Sequence, residues 1–533
     1  MAKKKTVKTQ RTKPVVKTGN RKLSLPLRFA AVDLGSNSIK LRISEITEPG
    51  RHSMLYDERF PVRLGHETFI TGKLSRKMIQ LAVEAMKKIE KICREYSVDE
   101  YAAIATSATR EAANGFDLAA AIAKHTGINI EIISGSEEAR MVALGVLGDI
   151  PPARQDYLII DIGGGSGEVI FTNDYNIIDA QSFPLGAVRL KELYVKSDLM
   201  TPKEFDILHD QIVATLKNKC KIRTIPQDTI CFGCAGTIQT LVGINVNGKG
   251  DKAQNKTMSL ARINGLISQM KRMTLTERVK QFKLDARRAE IILPGAMVLA
   301  ELMRHLSIQE VQLSVNGLRD GLIHDFMETN GFKKEASFDR ERAFSKSLFE
   351  IVDKYGTERD HVVHVCNLSL SIFDALQSLH KFGTREKNLL KGAAMLHDIG
   401  QYISYSKHHK HSHYLIMNSD IPGIPERDKL IIAAISRYHR RAIPNPSQPE
   451  FKILNPEERL IVRKLAGILR VADALDKEHQ GLVTTVACET KKGKVIFQLN
   501  AVRHVPVEVW AAVHKAELFE QAFHCKAQFK EIG

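Results

Sequence analysis

The sequence predicts an α/β protein built twice around a cleft, followed by a helical segment and a small α+β cap. Three observations carry that prediction. Two aspartate-led glycine turns, Asp33-Leu-Gly-Ser-Asn-Ser38 and Asp161-Ile-Gly-Gly-Gly-Ser166, recur about one small domain apart. Each follows a short apolar run, Phe29–Val32 and Tyr157–Ile160, that reads as a buried strand. After about residue 335 the alternation of strand-like and helix-like runs gives way to helical spacing alone.

The elements follow in chain order. Residues 1–24 are expected to form a disordered basic tail, because residues 1–22 carry nine Lys or Arg, no acid and few apolar side chains. Without those nine charges the net charge of +17 falls to +8, so the remaining body is still basic and suits a polyanionic ligand. Within 25–150, strands are expected at 28–46, 54–64, 100–106 and 129–133, with helices at 74–96, from Ser107 or Thr109, and at 136–147. The second half, 151–328, restarts with strands at 157–161, 167–172 and 176–183. A helix at 202–219, a strand at 228–232 and a glycine turn at 233–236 follow. Segment 335–479 has apolar helical spacing at 342–354, 362–380 and 386–397. The cap, 480–533, is expected to contain strands at 483–487 and 494–499 joined by a Lys491-Lys-Gly493 hairpin, then a helix at 515–522 and a final strand.

Several classes are excluded. The longest apolar stretches are broken by charges before they reach bilayer length, and the N-terminus lacks the apolar centre of a secretory signal, so a cytoplasmic protein is expected. Seven scattered cysteines argue against a disulfide framework. Cys231 and Cys234 have CxxC spacing, but no second pair completes a zinc site.

The candidate chemistry is phosphoryl chemistry. Glycines at strand ends bring bare backbone N–H groups towards an anion, and a carboxylate beside such a nest suits a divalent cation held between carboxylate and phosphate. Glu168, just beyond the second turn, is placed to complete a metal site with Asp33 and Asp161. Ser134-Gly-Ser-Glu-Glu-Ala-Arg140 puts two carboxylates at a helix start that Ser136 can cap; one carboxylate suffices there, and either Glu137 or Glu138 can serve as a base. Arg110, after the strand that ends at Thr106, offers a fork suited to phosphate. Ser314-Val-Asn-Gly-Leu-Arg-Asp-Gly321 has the form of a helix entry, which reads equally as a turn that closes the cleft or as a simple exit from the domain.

Seven segments together resemble the Ppx/GppA phosphatases, the exopolyphosphatases and guanosine pentaphosphate phosphohydrolases. They are AAVDLGSNSIKL (30–41), ATSATREAAN (105–114), IEIISGSEEARMVALGV (130–146), LIIDIGGGSGEVIF (158–171), FPLGAVRL (183–190), CAGTI (234–238) and LSVNGLRDGL (313–322). The resemblance implies a duplicated actin-like fold of the acetate kinase/Hsp70/actin type and Mg2+-dependent removal of a terminal phosphate. By matched motif it implies that Glu138 is the general base, that Arg110 binds the scissile phosphate, and that Asp33, Asp161 and Glu168 organise metal and water. It further implies that Gly35, Ser36, Asn37, Ser38, Gly163, Gly164, Gly165 and Ser166 cradle phosphate oxygens, and that the protein forms a homodimer. Two positions depart from the family pattern: Gly167 stands where Thr is frequent and Ala235 where Ser is common. The expected substrate is inorganic polyphosphate, with guanosine pentaphosphate (pppGpp) as the alternative. A kinase or ATPase of the same fold fits the paired glutamates less well.

In the helical segment His361, His397-Asp398 and Asp473 follow the ligand order of HD-domain phosphohydrolases, which it resembles; resemblance to the family's C-terminal domains implies that such a module commonly lacks metal activity, but here the four nominal ligands of a second metal site are all present. The runs Lys407–His413 and Arg437–Arg441 read equally as a basic wall for a phosphate chain.

Overall fold

The computed structural model describes residues 23–150, 155–173, 176–222, 225–244, 257–332, 340–419, 421 and 424–532. The expected disordered tail therefore lies, but for residues 23 and 24, outside the described residues. The chain divides into two compact units, Met1–Asp339 and Arg340–Gly533.

The first unit contains two sheets of matching topology. In the first, β1 (Leu27–Leu34) pairs antiparallel with β2 (Ile39–Glu48), which pairs with β3 (Arg51–Phe60), while β4 (Glu100–Ala105) and the two-residue β5 (Glu131–Ile132) add in parallel on the other side. The order is β3-β2-β1-β4-β5. In the second, β6 (Asp156–Ile162) takes the place of β1, flanked by β7 (Gly167–Asn173) and β8 (Asn176–Phe183) on one side and β9 (Ile230–Cys234) and β11 (Glu310–Leu313) on the other. β10 (Thr257–Ser259) is added at the edge. This is the duplicated actin-like fold. β1 and β6 are buried along nearly their whole length, as strands with both faces covered must be, which is why they read as unbroken apolar runs.

The expected strand at 28–46 is thus two strands split by the first glycine turn, and the strand expected at 129–133 shrinks to two paired residues. Helix Arg76–Glu95 is capped by Ser75 and buries Ala82, Met86 and Ile89 against the first sheet's core. Helix Gly135–Leu147 buries every residue but its first. It crosses helix Leu318–Thr329 at glycines: a Cβ on Gly145 would stand 1.9 Å from the Gly317 carbonyl oxygen, and one on Gly321 1.9 Å from that of Met141. Only glycine permits backbones to approach this closely.

In the second unit, helices including Arg359–Ala375, Thr384–Leu396, His408–Met417, Glu426–Arg437 and Pro456–Ala474 precede β12 (Val483–Lys491), β13 (Lys494–Ala501) and β14 (Lys526–Glu531), in the order β12-β13-β14. The helix expected at 515–522 is two, Pro506–Lys515 and Glu517–Phe523. The segment expected as a separate cap shares one apolar core with the helices: Ile432, Leu465 and Leu469 pack in the same cluster as Val483, Phe497 and Phe519. Among the described residues no helix is long and apolar enough to cross a membrane.

Candidate active site

The two glycine turns are built alike and meet face to face. The Gly35 N–H donates to the Ser38 carbonyl (3.1 Å) and the Gly163 N–H to the Ser166 carbonyl (3.0 Å). A Cβ on Gly165 would lie 2.4 Å from Ser36 Oγ and 2.5 Å from Ser107 Oγ, so glycine is what lets the turns close on one another. The cavity between them is lined by Asp33, Gly35, Ser36, Glu138, Asp161, Gly163, Gly164, Gly165, Ser166 and Glu168. Asn37, Ser38 and Arg110, also expected at the site, do not line it. The Asn37 carbonyl accepts from the Arg63 N–H (3.1 Å), and Ser38 is buried.

Sheet register sets the inequality between the halves. At the foot of each turn the aspartate faces one residue across the hairpin: Lys40 opposite Asp33, but Glu168 opposite Asp161. Lys40 Nζ sits 2.9 Å from Asp33 Oδ2 and neutralises it, whereas Asp33 Oδ1 is buried with no hydrogen-bond partner. Glu168 accepts from Ser182 Oγ (2.8 Å), and Asp161 accepts a weak bond from the Cys234 thiol (3.5 Å). The CxxC pair is thus thiol chemistry held down: Cys234 is buried and its thiol pushed well up by burial and by Asp161.

Glu138 stands at the end of a chain that begins at Arg110. Arg110 Nη1 donates to Glu138 Oε2 at 3.1 Å and to the Ile133 carbonyl at 3.0 Å, tying strand end to helix start. Ser134, rather than Ser136, caps that helix by accepting from the Glu137 N–H (3.0 Å), while Ser136 Oγ sits 2.9 Å from Ser134 Oγ. The two adjacent glutamates part ways. Glu137 is clamped by Arg140 (Nε–Oε2 2.9 Å), which also reaches Asp325 at 2.6 Å, a buried ion-pair set that leaves only Glu138 facing the cavity.

Burial pushes Glu138 up to about 7, against the opposing pull of Arg110. Burial likewise pushes Asp161 up to about 6, with Lys40 pulling down, and holds Glu168 well above the usual carboxylate range with help from Glu138 and Asp161. Asp33, Glu138, Asp161 and Glu168, four of the five buried carboxylates that line the cavity, repel one another, and an all-oxygen set of this kind is what a hard divalent cation takes.

Sequence reasoning missed the cationic wall. Lys40, Arg42, Arg59 and Arg319 also line the cavity, together with Asp320. Lys40 and Arg59 are direct cross-strand partners, an arrangement that costs free energy unless an anion sits nearby. Arg42 is held by Asp57 (2.8 Å) and by a short ion pair with Asp320, and Arg319 by Asp57 (2.9 Å). The alternation of Lys40 and Arg42 on one face of β2 was the available signal. Within segment 314–321, Val315 to Asp320 line the cavity. Ala235 lines the cavity in the left-handed region (φ 62°), a strained conformation for a residue with a Cβ.

The second unit brings His361, His397, Asp398 and Asp473 together and adds two further imidazoles, His408 and His439. His361 Nε2 lies 4.0 Å from Asp398 and 3.8 Å from Asp473, and His397 Nε2 lies 3.6 Å and 3.7 Å from the same carboxylates. His408 Nε2 and His439 Nε2 stand 3.1 Å and 3.7 Å from Asp398. In each of the four imidazoles Nδ1 is engaged elsewhere, with Asp476 (2.8 Å) or with the carbonyl of Ala394, Tyr405 or Ser436, so Nε2 faces the carboxylates. His408, His409 and His439 are buried. These three imidazoles are therefore not part of a basic wall, whereas Lys407, Lys410 and Arg441 of the same runs are exposed.

A duplicated actin-like fold whose glycine turns face each other across an acid-lined, cation-walled cleft defines a phosphoryl-transfer enzyme. Comparison with known proteins narrows that class. The model of the Ppx/GppA phosphatase family matches residues 43–330, and that of Ppx/GppA phosphatase domain III matches residues 344–518. The chain belongs to the Ppx/GppA phosphatase family and is a hydrolase of phosphoanhydride bonds. It is 25% identical over 443 residues to a guanosine-5'-triphosphate,3'-diphosphate pyrophosphatase of Photobacterium profundum, covering 83% of this chain and 86% of that one. It is 27% identical over 456 residues to the protein of that name from Pseudoalteromonas atlantica, covering 83% and 85%. The structure of an exopolyphosphatase from Cytophaga hutchinsonii superimposes with a TM-score of 0.51 at 27% identity, covering 57% of this chain and 98% of that one.

Proposed function

We propose that the protein removes the terminal orthophosphate from inorganic polyphosphate by in-line attack of water, with Glu138 as general base. The observation that carries this reading is the cavity lining itself: two backbone nests for phosphate, one buried carboxylate poised near neutrality, and a row of cations along the wall. A base whose carboxyl titrates near the working pH is matched to proton abstraction from water. Arg110, whose guanidinium donates to Glu138 Oε2, favours the ionised form of the base and orients it. Asp33, Asp161 and Glu168 would hold Mg2+; the orphaned Asp33 Oδ1 and the mutually repelling acids fit a hard cation. When bound, the ion supplies neutralisation of charge on the phosphoryl oxygens. Gly35, Ser36, Gly163, Gly164, Gly165 and Ser166 cradle those oxygens, while Lys40, Arg42, Arg59 and Arg319 receive the following phosphates.

A second reading, hydrolysis of the 5'-terminal phosphate of pppGpp, is favoured by the names of the curated relatives, which align along 83% of this chain. Both substrates present the same terminal phosphoanhydride to the same residues. Initial rates of orthophosphate release from long-chain polyphosphate, pppGpp and ATP, with Mg2+ and then EDTA, separate them. Cleavage of polyphosphate that EDTA abolishes is the expected result; cleavage of pppGpp alone overturns the first reading.

We further propose that His361, His397, Asp398 and Asp473 hold a second divalent cation, with His408 and His439 completing the set. Metal retained after dialysis of the wild-type protein and lost in Asp398→Asn is the expected outcome. Equal metal content in the two proteins overturns it.

A further inference from the structure

The first unit carries a separate cluster that the cleft chemistry does not use. His52 on β3, Asp149 just beyond the Gly135–Leu147 helix, and His324 in helix Leu318–Thr329 offer one ligand atom each, all within 4.8 Å of one another. His324 is only 1% exposed, yet neither of its ring nitrogens has a hydrogen-bond partner; Asp149 Oδ1 stands 3.3 Å from Nε2. His52 Nδ1 is likewise buried without a partner. The two rings sit 5.4 Å apart at 76°, edge to face. Leaving buried imidazole nitrogens unpaired costs on the order of 1–3 kcal/mol for each group, so a cluster of them calls for a ligand.

The backbone makes room for this cluster. Gly148 is flush against the His324 ring: a Cβ there would fall 2.5 Å from Cδ2 and 2.7 Å from Nε2. Asn316 Nδ2 donates to Asp149 Oδ2 at 3.1 Å, which orients the carboxylate and leaves Oδ1 towards His324. Burial and the neighbouring His324 hold the His52 imidazole below its usual range.

We infer that His52, Asp149 and His324 form a site for a first-row divalent cation of the zinc class, with water as the fourth ligand. Two imidazoles and one carboxylate suit zinc and its neighbours rather than Mg2+, which prefers oxygen and an octahedral shell. The ion ties the β2–β3 hairpin, the far end of the Glu138 helix and the helix that supplies Asp320. Asn316, which holds the Asp149 carboxylate, and Asp320, one turn before His324 on the same helix, line the catalytic cavity, so occupancy stiffens the segment that lines the cleft.

The test is zinc stoichiometry on the full chain, stripped with chelator, dialysed against micromolar Zn2+ in millimolar Mg2+, and measured by elemental analysis. His52→Gln and Asp149→Asn, both at partly exposed positions whose replacement leaves the core intact, are each expected to bind one equivalent less than wild type. Asp398→Asn serves as an independent control for the second unit: the double variant Asp149→Asn/Asp398→Asn should lose what each single variant loses. Zinc content unchanged in both His52→Gln and Asp149→Asn overturns the proposal, whatever the second unit binds.

Discussion

Replacing Arg110 by Met tests whether this cation sets the working pH of the base. Arg110 Nη1 is 3.1 Å from Glu138 Oε2 in a buried setting, and it opposes the burial that pushes the Glu138 carboxyl up to about 7. A hydrogen bond to a charged partner is worth about 1.5–3 kcal/mol, and one pKa unit corresponds to about 1.36 kcal/mol. Losing Arg110 should therefore raise the carboxyl by roughly 1–2 units, towards about 8–9. The sign follows from the role: a base works ionised, so activity falls as pH drops through its pKa, and a higher pKa moves that fall to higher pH. At pH 7 the ionised fraction drops from about half to roughly 1–10%. The assay is kcat/KM for orthophosphate release from polyphosphate across pH 5–10 (about that range covers both limbs). In Arg110→Met the acid limb should move up by about 1–2 units, with Arg110→Lys in between. An acid limb within about 0.3 units of wild type would refute the assignment of Arg110 to Glu138, since that is far below the shift the ion pair requires.

Three further outcomes are expected. Glu138→Gln should melt at a higher temperature than wild type at pH 8, because a carboxyl raised to about 7 in the fold contributes stability below its ordinary 4.5 and loses it as pH rises through 7; the two melts should converge near pH 4.5. Mg2+ should stabilise the wild-type fold at pH 8, by about 2.7 kcal/mol at a hundred times its Kd, and should do so far less in Asp161→Asn or Glu168→Gln, as read by chemical denaturation. Gly145→Ala should destabilise the first unit by about 2–3 kcal/mol in chemical denaturation, since its Cβ meets the rigid Gly317 carbonyl at 1.9 Å and no side chain can yield.

What was legible in the sequence was whatever is local. The aspartate, glycine and serine spacing of each turn is self-contained, and Gly35–Ser38 and Gly163–Ser166 close as matched hydrogen-bonded turns. What was not legible depends on distant partners. Glu137 and Glu138 are chemically equal in the sequence, and the choice between them is made by Arg140 and by Asp325, 185 residues from it. Lys40 and Arg59 look like a solvated strand surface until their register across β2 and β3 puts them side by side at a cavity. His408 and His439 read as surface charge because histidine is polar, whereas their burial against Asp398 comes from a helix packing that no short window encodes. The helices at Leu260–Met270 and Ala286–His305 escaped notice for a related reason: the second buries most of its surface, so its apolar residues show little one-sided rhythm.

The most direct measurement of the central claim is single-turnover orthophosphate release by Glu138→Gln with Mg2+ at pH 8, alongside equilibrium binding of the same polyphosphate. Loss of the base should cut the chemical step by about 10²–10⁴-fold while the chain still binds within a few-fold of wild type. A turnover within about tenfold of wild type, or a loss of binding that accounts for the loss of rate, would contradict the account.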